Sequence, residues 1–352
     1  MTSEATREQE VLLDEQGALG RITLNRPKAL NSLTLGMVRS VTAALERWRH
    51  DDRIHAVLIE GAGERGLCAG GDIRALYDAA KAGDESLPRS FWAEEYRMNA
   101  MLARYPKPVV SIMDGICMGG GVGISAHGSH RVVTERSKVG MPETGIGFFP
   151  DVGGTYLLSR APGELGTHMA LTGEPVGAGD ALYCGLADHH VDSGNLEELI
   201  TALSTGAVDT VLEKYSEPAP ESPLEAHRTW IDVAYSADTV EEISRRLRQR
   251  PEEAAHSAAD AIETKSPTSL KVTLRSVRSA AGLTSLEQVL DQEFRVSLAC
   301  LWIGDFLEGV RATLVDKDRN PMWNPQHLGE VEDEFVAEFF APPAAGDLGL
   351  SG

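Results

Sequence analysis

Eleven of the chain's 35 glycines fall between Gly115 and Gly154, where even spacing would place about four. Glycine is needed where backbone takes a left-handed turn or approaches a neighbour closely, so this density marks a place where main chain does the contacting. The densest run, Asp114-Gly115-Ile116-Cys117-Met118-Gly119-Gly120-Gly121-Val122-Gly123, follows the apolar stretch Val109 to Met113 and opens a predicted helix, Val122 to His127. An earlier segment repeats the scheme. Ile54 to Ile59 reads as a buried strand, Gly66-Leu67-Cys68-Ala69-Gly70-Gly71 as a loop, and residues from about Asp72 to Ala82 as a helix. Strand, glycine loop and helix, twice in succession, imply an α/β chain with parallel strands.

The remaining pattern fits. Leu19 to Asn25 alternates and stops at Arg26-Pro27, as a half-buried strand does. Thr34 is a plausible N-cap for a helix carrying Leu35, Val38, Val41, Leu45 and Trp48 on one face. Short strands are predicted at Arg131 to Thr134 and Val139 to Met141, and helices at Thr155 to Arg160, Gly179 to Cys184 and Asn195 to Leu203. SEPAPESP, from Ser216, has linker composition, and the sequence beyond it is helical in period, with one long apolar face predicted over Leu283 to Val315. The division is therefore an α/β core over 1–205 and a helical region over 206–352, frayed after about Ala341.

With 352 residues and 42% hydrophobic content the chain can bury a large core, while a net charge of −20 disfavours nucleic acid and anionic lipid as partners. No stretch reaches the ~18 apolar residues of a membrane span. The N-terminal residues MTSEATREQE are acidic and polar. Cys68, Cys117, Cys184 and Cys300 form no CxxC pair, which suits reduced thiols and points to the cytoplasm or an equivalent reducing compartment. The histidines lack ligand spacing such as HExxH, so no metal site is expected.

Glycines just ahead of helices expose unpaired N–H groups that can face an oxygen gaining negative charge. Such loops also serve as tight turns that let a helix pack on a strand. Neither loop carries the following Gly-Lys-Ser/Thr of a phosphate cradle, nor the GxGxxG and distal acid of a dinucleotide site.

Three segments in order, CAGGDI (Cys68 to Ile73), DGICMGGGVGIS (Asp114 to Ser125) and MPETGIGFFPDVGG (Met141 to Gly154), resemble the crotonase (enoyl-CoA hydratase/isomerase) superfamily. The resemblance covers about residues 10 to 200. The EEY triplet at Glu94-Glu95-Tyr96 and the helical C-terminus extend it toward the superfamily's hydrolases of short branched 3-hydroxyacyl-CoA thioesters, such as 3-hydroxyisobutyryl-CoA. It implies a spiral of ββα units with a mainly helical C-terminal region, an acyl-CoA substrate, no separate cofactor because CoA is part of the substrate, a homo-oligomer, and a place in valine catabolism.

Carried over by residue, the resemblance makes the Gly71 and Gly120 N–H groups the oxyanion donors. Hydratase members carry a Glu three residues after the second donor and another in the Pro-Glu motif; here the first position is Gly123 and only Glu143 remains. Addition of water across a double bond needs two placed acid/base groups, so plain hydration is disfavoured. Asp151, eight residues on, is the second candidate catalytic acid, with helix capping as its structural alternative. Glu95 is the candidate partner for a substrate hydroxyl. Leu67, Ala69 and Gly70 are expected beside the substrate, and Arg26, Lys28, Ala29 and Arg65 near the CoA path. Enoyl-CoA isomerase or hydratase, and a non-catalytic acyl-CoA binder, remain the competing readings.

Overall fold

The computed structural model describes residues 9–351, so residues 1–8 of the acidic N-terminal stretch lie outside it. Among the described residues nine strands build two sheets: β1 (Val11–Gln16), β2 (Leu19–Leu24), β3 (Ala56–Gly61), β4 (Gly66–Cys68), β5 (Val109–Met113), β6 (Ile116–Met118), β7 (His130–Val133), β8 (Lys138–Gly140) and β9 (His189–His190). The larger sheet runs β1-β2-β3-β5-β7-β9 and the smaller β4-β6-β8. Only the β1–β2 pairing is antiparallel.

Strands β3, β5 and β7 are each followed at once by a short one, and β4 and β6 lead to helices Ile73–Lys81 and Gly120–Ser125, whereas β8 leads to a 3-10 turn, Glu143–Ile146. These are the ββα units of the expected α/β spiral. The short parallel strands end together at Cys68, Met118 and Gly140, so the three loops named by their motifs emerge side by side.

The uninterrupted apolar run in β3 follows from burial on both faces. Val57 and Ile59 join the main core, whereas Ala56 and Leu58 meet a second layer built from Leu199, Leu203 and Leu212. Helix α1 (Leu35–Arg49) starts as its sequence dictates, with the Met37 N–H donating to the Thr34 hydroxyl at 3.1 Å.

The main core contains residues from Val11 to Leu348, so apolar side chains from both parts of the chain pack in one cluster. The SEPAPESP segment is an extended strap, bridged to β9 through His190 and Glu217 and tied by the Ser222 hydroxyl donating to Asp180 at 2.6 Å.

Two expectations need correction. The apolar face over Leu283 to Val315 is not one helix: Leu286–Ile303 is followed by a break at Gly304-Asp305 and a short helix, Phe306–Val310. Tertiary bonds make the break, because Asp305 accepts from the Ser266 hydroxyl at 2.6 Å and the Asn324 N–H at 3.0 Å. Nor is the segment after Ala341 frayed. Leu348 is buried, Arg295 pairs with Asp347 at 2.7 Å, and Asp291 accepts from the Leu350 N–H at 2.9 Å.

All four cysteines are free and buried. Among the described residues no helix is long and apolar enough to cross a membrane, and no group of three or more His, Cys, Asp or Glu is arranged to hold a metal ion.

Candidate active site

The first loop is pinned by a bridge to Leu33, whose N–H donates to Gly70 at 2.9 Å and whose carbonyl accepts from Asp72 at 2.8 Å. Gly71 lies between these bonds, and its own N–H has no acceptor among the described residues. Gly120 is the first residue of the helix Gly120–Ser125, where a helix leaves its N–H unpaired. The two residues are close neighbours, since a Cβ built on Gly120 would sit 3.2 Å from the Gly71 nitrogen and 2.8 Å from Glu95 Oε1. A glycine is obligatory at position 119 as well: its φ is +53°, and a Cβ there would lie 2.6 Å from Glu143 Oε1.

Glu143 is delivered by the third loop. Pro142 starts the 3-10 turn and Gly147 ends it with φ +70°, its N–H bonding back to the Glu143 carbonyl. A Cβ on Gly147 would collide with the Asp305 carbonyl at 2.3 Å, so the C-terminal region fixes the end of this turn. The carboxyl of Glu143 is 7% exposed, and its Oε2 has no hydrogen-bond partner.

These groups line a cavity of about 360 Å³ together with Glu95, Asp151, Ala69 and Gly70. One wall is aromatic: Trp92 stacks on Phe148 at 5.5 Å, and Phe306 leans on both at 6.2 and 5.1 Å. Such a wall keeps the acids dry. Burial, followed by the charge of Asp151, holds Glu143 well above the ordinary carboxylate range, and the same two causes act on Glu95. Burial raises Asp151 to about 7 against the opposing hydrogen bond from Tyr96, whose hydroxyl donates to Oδ2 at 2.7 Å. Asp151, raised to this value, suits proton transfer near neutral pH.

Of the residues singled out in the sequence, Gly71, Gly120, Glu143, Asp151, Glu95, Ala69 and Gly70 therefore meet in one cavity. Five others lie outside its lining, among them Arg65, which is exposed. Leu67 is buried in β4 and packs in the core. Lys28 and Ala29 sit exposed on the Pro27–Ala29 turn, and Arg26 is engaged by Asp72 at 3.0 Å and Glu10 at 3.2 Å.

The structure adds residues that the sequence did not single out. Tyr96 orients Asp151, and Ser297 from the helix Leu286–Ile303 meets the Tyr96 hydroxyl at 2.6 Å. Lys265 brings a cation to the cavity lining, held below its ordinary value by burial. Glu293 lies fully buried behind the Asp151 turn. Asp291 and Glu293, two acids set between the apolar Leu290 and Phe294, are the available sign of it in the sequence. Replacing Tyr96 by Phe removes the bond that favours ionised Asp151, so the Asp151 limb of a log kcat against pH profile is expected to move to higher pH.

Gly123 explains the absent second glutamate in steric terms. A Cβ there would stand 2.6 Å from the Val152 Cβ and 3.1 Å from Asn99 Nδ2, so Val152 already fills the space in which a longer side chain would begin.

An enoyl-CoA hydratase/isomerase family model matches residues 19–340. The chain belongs to that family. Among the family's curated members, a chicken (Gallus gallus) protein named 3-hydroxyisobutyryl-CoA hydrolase, mitochondrial, is 44% identical, over 97% of this chain and 91% of its own length. Two solved family structures share the whole architecture. One is described as a carnitinyl-CoA dehydratase from Mycobacterium thermoresistibile, with 53% identity, TM-score 0.94 and coverage of 98% of this chain and 99% of that one. The other is described as an enoyl-CoA hydratase from Rhodobacter sphaeroides, with 41% identity, TM-score 0.92 and coverage of 97% and 99%.

The relative's name also corrects the cytoplasmic expectation, since it and its counterparts from Xenopus tropicalis and human are named mitochondrial. Reduced, unpaired cysteines report a reducing environment, which does not single out the cytoplasm.

Proposed function

We infer that this chain is an acyl-CoA thioester hydrolase that converts 3-hydroxyisobutyryl-CoA to the free acid and CoA. The observation that carries this reading is the site's asymmetry. Buried Glu143 and Glu95 share the cavity with the neighbouring Gly71 and Gly120 N–H groups, while position 123, where a second acid of the Glu143 kind would stand, is closed by Val152. The 44% identical relative named for this hydrolysis supports the choice of acyl group.

In the reaction the Gly71 and Gly120 N–H groups hold the thioester oxygen as it gains charge. Glu143 either attacks the carbonyl carbon, expelling CoA thiolate and leaving a mixed anhydride that water opens, or takes a proton from the attacking water. Asp151 orients Glu143 or the water, and the unpaired Glu95 Oε1 accepts the substrate's hydroxyl. Ala69 and Gly70 border the thioester, with exposed Lys28 and Ala29 toward the nucleotide end. The chemistry calls for no cofactor beyond the CoA of the substrate. A role in valine breakdown and assembly into a homo-oligomer belong to the same proposal and rest on the resemblance.

The descriptions of the two structural neighbours favour one second reading, dehydration or hydration by the Glu143 and Asp151 pair. Free-thiol release over a panel of short 3-hydroxyacyl- and enoyl-CoA esters separates the two. The expected result is thiol release, fastest with 3-hydroxyisobutyryl-CoA. Interconversion of hydroxyacyl and enoyl esters without free thiol would contradict hydrolysis. Single turnover in ¹⁸O water divides the two hydrolytic routes, because label retained in the Glu143 peptide requires the anhydride.

A further inference from the structure

We propose that Glu293, on the helix Leu286–Ile303, is a positioning residue for the reaction: it clamps the turn from Asp151 to Thr155 and so holds Asp151 toward the cavity. The proposal rests on the hydrolytic reading above. Glu293 does not line the cavity; it acts through the turn.

The contacts are three. The Gly153 N–H donates to Oε2 at 2.6 Å, while the Thr155 N–H and hydroxyl donate to Oε1 at 3.1 and 2.5 Å. Glu293 is fully buried, and a carboxyl so placed is retained only where its oxygens are engaged. All three donors belong to one turn, 138 to 140 residues away in sequence.

The clamped turn is strained at a telling position. Val152 has φ +53°, a left-handed conformation that a β-branched residue leaves unless its surroundings hold it. Glu293 grips the next residue, Gly153 with φ +77°, and His127 Nε2 lies 2.8 Å from the Val152 carbonyl oxygen. The strained residue separates the clamp from Asp151 and is also the one that closes the space at Gly123.

A second hold on Asp151 comes from the same helix. Ser297, one turn after Glu293 and so on the same face, meets the Tyr96 hydroxyl that donates to Asp151. Asp151 is thus fixed at its carboxylate through Tyr96 and at its backbone through Glu293. Each hold ends on a helix far from the three sequence motifs.

The test compares Glu293→Ala, Glu293→Gln and Thr155→Val with the unaltered chain in CoA-release kinetics, thermal melting and crystal structures. In Glu293→Ala kcat is expected to fall ~10–100-fold with KM within threefold, because the cavity lining is intact while Asp151 is misplaced. Glu293→Gln keeps one acceptor oxygen and should recover part of kcat, and Thr155→Val should lose less than Glu293→Ala. If Glu293→Ala does not fold, a smaller kcat loss at unchanged KM in folded Glu293→Gln supports the proposal and an unaltered kcat overturns it. A kcat that falls only in proportion to the unfolded fraction also overturns it.

The structural arm is independent of the hydrolytic reading. In crystals of a folded Glu293 variant Val152 should leave the left-handed region and the Asp151–Tyr96 bond should lengthen or break; an unchanged turn overturns the clamp even if the unaltered chain releases no thiol.

Discussion

Glu143→Gln is expected to lower CoA release from 3-hydroxyisobutyryl-CoA by at least ~10³-fold while binding of the thioester stays within a few fold. Glutamine has the same shape and keeps one acceptor oxygen, but it can neither attack the carbonyl nor take a proton from water. Because the native carboxyl is buried and pressed by Asp151, Glu293 and Glu95, replacing it by a neutral amide relieves an electrostatic burden, so the fold should survive. Steady-state thiol release, calorimetric titration with the thioester and thermal melting check the three parts. Near-normal turnover in a folded Glu143→Gln would remove Glu143 from the chemistry.

The second large effect is expected from a backbone position. Gly120→Ala places a Cβ 2.8 Å from Glu95 Oε1 and 3.2 Å from the Gly71 nitrogen, crowding the surroundings of both N–H groups. Glu95 must shift, and the thioester oxygen loses its fit to at least one donor. Removal of one such donor costs ~10²–10³ in rate, and the same loss in kcat is expected here. Gly282→Ala is the control: a Cβ there meets nothing within 4 Å and φ is not in the left-handed range, so thiol release should equal that of the unaltered chain. Equal activity in Gly120→Ala would show that the carbonyl is held elsewhere.

The parts of the site that were legible in sequence share a cause. Gly71, Gly120 and Glu143 are named through the resemblance carried by three local motifs, and the structure puts all three on the lining of one cavity. Each loop follows a short strand whose partners also end there, so three separate motifs become one place once the strands pair. The α/β class, the Thr34 cap and the buried run in β3 were legible for the same reason, because periodicity and capping act over a few residues.

What could not be read was the tertiary support. Glu293 and Ser297 reach residues 138 to 201 positions away, and nothing in the local pattern names the partner. The break at Gly304-Asp305 is likewise imposed by Ser266, Asn324 and the close approach of Gly147. Arg26 is attractive in sequence as a cation for the CoA path, but Asp72 and Glu10 occupy its guanidinium. A count of charges sees the cation and not its neighbours.

The structural consequence is a division of labour. The spiral core supplies the N–H donors and Glu143, and the helical C-terminus supplies Phe306 and Lys265 to the cavity and the holds behind Asp151. Removing the C-terminal helix would therefore affect the chemistry and not only the stability of the core.

The most direct measurement is a crystal structure of Glu143→Gln with intact 3-hydroxyisobutyryl-CoA bound. The account predicts a thioester oxygen within about 3.1 Å of both the Gly71 and Gly120 nitrogens, with residue 143 facing the carbonyl carbon. A thioester oxygen away from those two nitrogens, or a carbonyl carbon out of reach of residue 143, would contradict it.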